Sequence, residues 1–500
     1  MRTATGLRGG LLVGAAAACA ALWAPVPATS AQPRRLPHEL RLTTEQLAAL
    51  RQAWNERLPY VPGEVLVRFR EGVDASGRVR AFSASRAGVE ARHARWIGDT
   101  LWVHATGEPD AERLAATLRR QPEVMWAQPN YFDELQSRPN DPEYSRQWNL
   151  DLIDMPRAWD INDGGSGSVT VAVIDSGTTT VNETFVLPLW TGSSIELVGI
   201  PFRENPDIGS ARILDGEDFI FWDGPVLDMD GHGTHVAGTV LQETNNNLAL
   251  AGIAHRARLM PLKACVGYWE IQIFTSAEGI PGFIDPREGG GCTTSGIAQA
   301  IRYAADNGAH VVNLSLGGFE PRPAFLDAIR YAVGRGTFVA MAMGNEFEEG
   351  NPTGYPAAYG PDIDGAMSVG AVGRGSRRAF YSSTGAHLEI AAPGGDARDG
   401  GPAGAIYQTS LADEDFDPFI VVIPRFDRYR EVAKQGTSMS APHVAGVAAL
   451  LYSQGINRPA AIEEALKRFA RDLGPAGRDN DFGHGLIDAR AALRGLGAAR

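Results

Sequence analysis

Over the C-terminal two thirds of the chain, short apolar runs alternate with longer stretches of helical spacing. Val169 to Ile174 is largely β-branched, and Ala257 to Ala264, Val311 to Leu316 and Thr337 to Ala342 have the length and character of buried strands. Gly233 to Leu241, Ser295 to Asn307, Ala324 to Arg335 and the long apolar stretch Ser440 to Gln454 read as helices. Strand-helix alternation with short connections predicts an α/β domain over residues 138–500, with a mostly parallel central sheet covered by helices on both faces.

Upstream of Asn140-Asp141-Pro142 the pattern is different. Residues 32 to about 60 are polar, with a short helix predicted to open at Thr43-Thr44-Glu45. Gly63 to Phe69, Thr100 to Ala105 and Val124 to Gln128 then read as strands, and Ala81 to Arg95 and Ala111 to Arg120 as helices. A small α+β unit at about 60–133 is expected, inside an N-terminal region 32–137. Ahead of it, Arg2, Arg8, the apolar stretch Leu11 to Trp23 and the small residues Ala28, Ser30 and Ala31 make residues 1–31 an expected export signal. Ala16-Ala17-Ala18-Cys19 leaves lipoprotein-type processing at Cys19 as the alternative. The stretch Leu11 to Trp23 is too short to span a bilayer and no later segment offers about 18 uncharged apolar residues, so no membrane span is expected. The mature protein is expected to be secreted, into the medium or the periplasm.

Composition narrows the possibilities. A chain of 500 residues suggests two or three folding units, and 44% hydrophobic with 21% charged residues excludes disordered and fibrous classes. The net charge of −13 argues against nucleic acid as a partner, because neutralising phosphates needs clustered Lys and Arg. The acidity belongs to residues 138–500, since residues 1–137 hold 17 basic and 14 acidic residues of the 46 and 59 in the whole chain. Removing the signal would leave two cysteines, Cys265 and Cys292. In an oxidising compartment they are expected to pair, with two buried thiols as the alternative. Their spacing does not suit a zinc-thiolate site.

Three segments carry residues suited to chemistry. Val171 to Gly177 delivers Asp175 at the end of a buried strand, where α/β sheets place their sites, although a lone Asp there can equally cap a helix. Asp230-Gly231-His232-Gly233-Thr234-His235 puts His232 between glycines at a helix start. Metal binding by His232 and His235 is the alternative, but no Glu stands between them as a metalloprotease helix needs. His235 is read as a packed, hydrogen-bonded support. Gly436-Thr437-Ser438-Met439-Ser440 places a serine where a Gly-rich loop enters a helix, a position that suits an N-cap or a nucleophile beside the positive helix end. Together Asp, His and Ser are what nucleophilic acyl transfer requires.

These segments, in this order, resemble the signatures of the subtilisin-like serine proteases. The resemblance extends to Asn313 through Gly318, Ala342-Met343-Gly344-Asn345-Glu346, Ala391-Ala392-Pro393-Gly394 and Gly483 through Asp488. It implies the three-layer fold of that family and a serine endopeptidase acting through an acyl-enzyme, with no cofactor for the chemistry. Asp175 would orient His232, His232 would be general base and acid, Ser438 the nucleophile, and Asn345 an oxyanion donor. A catalytically silent binding module of the same fold is the rival reading.

Further implications concern the surroundings. Ser315, Leu316, Gly317 and Gly318 would form one wall of the primary specificity pocket, Gly354 its base and Glu346 its rim. Gly354 would leave room for large apolar side chains first, and Glu348 and Glu349 nearby would admit basic ones second. Gly289-Gly290-Gly291 would be the other substrate-pairing edge. Residues 32–137 look like the family's propeptide, with a ferredoxin-like inhibitor and folding assistant at 60–133 and self-cleavage between Phe132 and Arg138. Asp141, Asp207, Asn245 and Asn247 resemble the family's strong calcium site, implying a structural Ca2+. Protein or peptide substrates and a monomeric enzyme are expected. Three insertions, at 178–212, 267–291 and 405–434, are expected to border the cleft.

Overall fold

The computed structural model describes residues 44–56, 58, 60–84, 94–105, 110–131, 138–220, 224–282, 290–412 and 423–495. The expected signal at 1–31, Cys19, most of the self-cleavage stretch and Gly289 lie outside these residues. The chain divides into two compact units, residues 1–135 and 136–500.

The first unit begins with helix α1 (Thr44–Glu56), followed by β1 (Tyr60–Phe69), α2 (Ala75–Ala84), β2 (Ala94–Ile97), β3 (Thr100–His104), α3 (Ala111–Arg119) and β4 (Val124–Tyr131). The sheet is antiparallel in the order β2-β3-β1-β4, a ferredoxin-like arrangement. Val65, Val67 and Val103 pack against Leu114 and Leu118 to form its core. Glu64 is buried and accepts hydrogen bonds from Trp102 Nε1 at 2.8 Å and Asn130 Nδ2 at 2.7 Å, tying the middle of β1 to its neighbours. Of the helix expected at Ala81 to Arg95, residues 85–93 lie outside the described ones, Ala81–Ala84 end a helix that begins earlier, and Arg95 is in a strand. Asp74 accepts from the Gly77 N–H at 2.8 Å and so starts α2 at Ala75, while Arg95, Trp96 and Ile97 pair with β3 as a strand.

In the second unit a seven-stranded parallel sheet runs in the order β15-β14-β13-β12-β5-β9-β8. Its strands are β5 (Thr170–Asp175), β8 (Glu217–Asp218), β9 (Arg258–Lys263), β12 (Val311–Leu314), β13 (Phe338–Ala342), β14 (Ala366–Val372) and β15 (Ile390–Pro393). Every residue of β5, β12, β13, β14 and β15 is buried, as expected of strands covered on both faces. One face carries α4 (His232–Leu241) and α8 (Thr437–Ser453), the other α6 (Thr294–Asp306) and α7 (Pro323–Gly334), each with its own apolar core. α8 is buried almost throughout, and each buried Val or Leu on it contributes roughly 1.5–3 kcal/mol. No described helix is long and apolar enough to cross a membrane.

The insertions have structure of their own. Residues 178–212 contain the hairpin β6 (Glu183–Trp190) with β7 (Ile195–Phe202). Residues 267–291 contain α5 (Tyr268–Ala277), bracketed by β10 (Cys265–Val266) and β11 (Gly291–Cys292). Residues 405–434 contain the hairpin β16 (Ile406–Leu411) with β17 (Tyr429–Lys434). Leu189, Ile200, Phe202, Ile273, Leu411 and Phe426 from all three meet in one separate apolar cluster, in which the Phe202 and Phe426 rings stack at 5.0 Å. Cys265 and Cys292 form a disulfide across β10 and β11, as expected.

Candidate active site

Asp175 ends β5, at the C-terminal edge of the parallel sheet, and its side chain is almost fully buried. Its Oδ1 accepts from the Ser176 N–H at 2.7 Å and lies 2.7 Å from His232 Nδ1. Two residues that sequence reasoning passed over hold the histidine there. Ser176 Oγ accepts from the Gly233 N–H at 2.9 Å and donates to Asp228 Oδ1 at 3.0 Å. Asp228, wholly buried, also accepts from the Gly231 N–H at 2.9 Å and the Thr234 N–H at 3.0 Å. A carboxylate so close before the helix start was the available signal, since it favours unpaired N–H groups there. Gly233 permits the approach, because a Cβ there would stand 2.2 Å from the Gly177 carbonyl oxygen.

Burial pushes the His232 pKa down, but the Asp175 charge and hydrogen bond, helped by Asp230, outweigh it and hold the imidazole above its usual value. His235 is different. Completely buried, its Nε2 donates to the Ile406 and Val432 carbonyl oxygens at 3.1 Å each, and burial pushes its pKa down to about 3. It is the packed support expected, and it fastens α4 to the β16–β17 hairpin. The third insertion therefore braces the histidine helix.

Ser438 lies in the first turn of α8, where its N–H has no intrahelical acceptor. Pro442, four residues on, cannot donate to the Ser438 carbonyl. That oxygen accepts instead from Ser315 Oγ at 2.7 Å, and Ser438 Oγ donates to the Ser315 carbonyl at 3.3 Å. Asn345 Oδ1 accepts from the Thr437 N–H at 2.8 Å and from Thr437 Oγ1 at 3.0 Å. With the amide oxygen taken, its NH2 group is the end left to donate toward the Ser438 side.

A cavity of about 210 Å³ opens between Leu316-Gly317-Gly318, Asn345-Glu346, Gly354 and Ser438, which brings together the residues expected at the primary pocket except Ser315, which lines the adjoining cleft. Gly318 and Tyr355 exchange backbone hydrogen bonds at 2.9 and 2.7 Å. A Cβ on Gly354 would stand 2.7 Å from the Met343 carbonyl oxygen, so no side chain fits at that point. Glu346 Oε2 accepts from the Asn345 N–H at 2.7 Å. Glu348 is held by both nitrogens of the Arg398 fork, at 2.6 and 2.7 Å, which removes it as an attraction for basic side chains. Beyond this pocket the cleft continues past His232 to Gly290, Gly291 and the disulfide, so among the insertions 267–291 borders it. The hairpins of 178–212 and 405–434 share the apolar cluster with α5, and that of 405–434 also holds the His232 helix through His235.

The four expected calcium residues come together around one loop. Asp141 accepts from the Asn245 N–H at 3.0 Å and the Asn246 N–H at 3.3 Å, and Asp207 from Asn246 Nδ2 at 2.8 Å. Asn245 Oδ1 and the Asn247 N–H both bond to Asn140. Burial raises the pKa of Asp141 and takes that of Asp207 up to about 7. The carboxylates and the Asn amide oxygens are the ligand type a hard cation takes, but here they are turned to N–H donors, so a cation would replace those hydrogen bonds. The described residues include no group of three or more Asp, Glu, His or Cys side chains poised for a metal, so amide and carbonyl oxygens would complete the shell.

The family model described as the subtilase family matches residues 166–485. A thermophilic serine proteinase of Bacillus sp. (strain AK1) is 32% identical over 441 residues, 88% of this chain and 89% of that protein. Thermitase of Thermoactinomyces vulgaris is 30% identical over 337 residues, 66% of this chain and 92% of its own length. The solved structure of a protease from Pseudoalteromonas arctica PAMC 21717 matches with a TM-score of 0.52 at 29% identity, covering 72% of this chain and 99% of that one.

Proposed function

The chain belongs to the subtilase family and is a serine endopeptidase, and from that premise we propose that Asp175, His232 and Ser438 are its catalytic residues. The 2.7 Å contact between His232 Nδ1 and Asp175 Oδ1 carries the reading, because it fixes the proton on Nδ1 and leaves Nε2 as the base. His232 Nε2 takes the Ser438 hydroxyl proton as Oγ attacks the substrate carbonyl. The resulting oxyanion is held by Asn345 Nδ2 and the Ser438 N–H. Collapse expels the amine, which receives the proton from His232, and water then releases the acyl group by the same steps in reverse order. Ser438 Oγ turns from the Ser315 carbonyl to His232 as substrate enters, since such bonds tighten in the Michaelis complex.

The proposal includes the chain's handling. Residues 1–31 direct export, and residues 32–137 form an inhibitory propeptide built around the ferredoxin-like unit. The enzyme removes this region by its own cleavage between Phe132 and Arg138. Its slow-folding parallel sheet gives such a helper a physical purpose. Asp141 and Asp207, with oxygens of the 245–247 loop, would hold a structural Ca2+ that stabilises the folded state by binding it alone. The primary pocket, with Gly354 at its base, favours large apolar side chains.

The test is to express residues 32–500 as wild type and as Ser438→Ala, following chain length and casein hydrolysis together. Wild type is expected to lose residues 32–137 and digest casein, while Ser438→Ala stays full length and inert. Maturation and full activity of the variant would refute the assignment of Ser438.

A further inference from the structure

The cleft past His232 has a volume of about 370 Å³, and two charged side chains outside the catalytic set line it. Asp230 stands beside His232, accepting that residue's N–H at 3.0 Å. Arg322 stands at the other end. Its guanidinium lies 5.3 Å from the ring centre of Phe325, a fully buried residue, and so close to Gly318 that a Cβ there would be 2.9 Å from Nη2. Its backbone N–H donates to the Tyr359 hydroxyl at 2.9 Å, fixing the start of α7. Among the described residues the Arg322 guanidinium has neither a carboxylate partner nor a hydrogen bond. This contrasts with Arg378 and Arg398, which pair with Asp481 and Glu348. A half-buried guanidinium rarely goes without a partner when it lines a cleft, and here the free N–H groups leave room for a ligand.

The register of a bound peptide indicates which residue it would meet. Ser315 touches Ser438, so an extended substrate laid antiparallel along Ser315 to Gly318 has its cleaved residue near Ser315. Three steps along, about 10 Å away, its fourth residue before the cut lies opposite Gly318. Alternation puts the second and fourth side chains on one face, toward the cleft, the second nearer Asp230 and the fourth nearer Arg322.

We propose that Arg322 is a specificity-determining residue that binds an Asp or Glu side chain at the fourth position before the cleaved bond. This rests on the active-site reading above. The planar fork suits a carboxylate, and Phe325 beneath it limits the freedom lost on pairing.

The test is a set of fluorogenic peptides that differ only at that position, carrying Glu, Ala or Lys, with the enzyme expressed from the full chain. The wild-type ratio of kcat/KM for Glu over Lys is expected to be about tenfold, shrinking as NaCl is raised from low concentration toward 1 M. Arg322→Lys should keep the sign of the preference, Arg322→Ala should bring the ratio near one, and Arg322→Glu should invert it. Using a ratio removes the effect of any loss of folded enzyme. A ratio unchanged in Arg322→Ala and Arg322→Glu would overturn the assignment. Cleavage of all three peptides by Ser438→Ala at the wild-type rate would instead overturn the active-site reading.

Discussion

Lys263 and Glu270 form an ion pair at 2.8 Å in which both side chains are almost entirely buried. Lys263 ends β9, directly beside Asp175 on β5, and its ammonium also donates to the Ser176 carbonyl. Glu270 belongs to α5 and its other oxygen accepts from the Gly267 N–H at 2.9 Å. Burial works against the Lys263 charge, but the Glu270 and Asp228 carboxylates outweigh it and keep the ammonium protonated. The pair thus joins the disulfide-bracketed insertion to the strand end that carries Asp175.

Breaking that pair should be costly, because removing one partner leaves the other charged and buried. Glu270→Ala is expected to lose about 3–5 kcal/mol of stability, whereas the double change Lys263→Met, Glu270→Leu should lose much less. Urea unfolding in the Ser438→Ala background, where self-digestion cannot interfere, is the measurement. Equal losses in the two variants would show that packing, not charge, dominates there.

The pH profile should follow His232. Its pKa is held above the usual 6.5, mainly by Asp175, and only the neutral ring can accept the serine proton. The acid limb of kcat/KM should therefore lie above pH 6.5. Asp175→Asn is expected to move that limb to lower pH and to reduce the plateau on the order of 10⁴-fold. The sign for stability is opposite. A raised folded pKa stabilises fully below pH 6.5 and the contribution is lost as pH rises through the folded value, so Asp175→Asn should destabilise more at pH 6 than at pH 9.

Removing the Asn345 donor should act on kcat. Asn345→Ala is expected to lower it by about 10²–10³-fold with little change in KM, since the oxyanion exists only in the transition state. A fall confined to KM would point to a role in substrate binding.

The disulfide closes a loop with a sequence separation of 27. By loop entropy Cys265→Ser, Cys292→Ser should cost about 3–4 kcal/mol, read as a drop in Tm in the inactive background. Because Gly291 and Cys292 line the cleft, KM for extended peptides should rise more than KM for a dipeptide substrate.

The α/β architecture, its buried strands and Asp175, His232, Ser438 and Asn345 as candidates were legible in the linear sequence. Apolar runs and glycine-flanked polar residues are local signals, written in consecutive residues. The Asp74 cap was equally local, yet the alanine-rich stretch after it masked the start of α2. By contrast, Asp228 touches Ser176 across 52 positions and Lys263 reaches the Ser176 carbonyl across 87. Such pairs depend on which strands become neighbours.

The sequence alone determined where strands and helices form and which residue types stand at the strand ends, because burial and backbone preference act locally. Only the tertiary structure decided that Glu348 is spent on Arg398, that three insertions share one apolar cluster, and that Arg322 faces the cleft without a carboxylate partner among the described residues. A side chain's partners are set by distances through space between segments far apart in the chain, and those distances exist only once the sheet, its crossovers and the inserted hairpins are packed together.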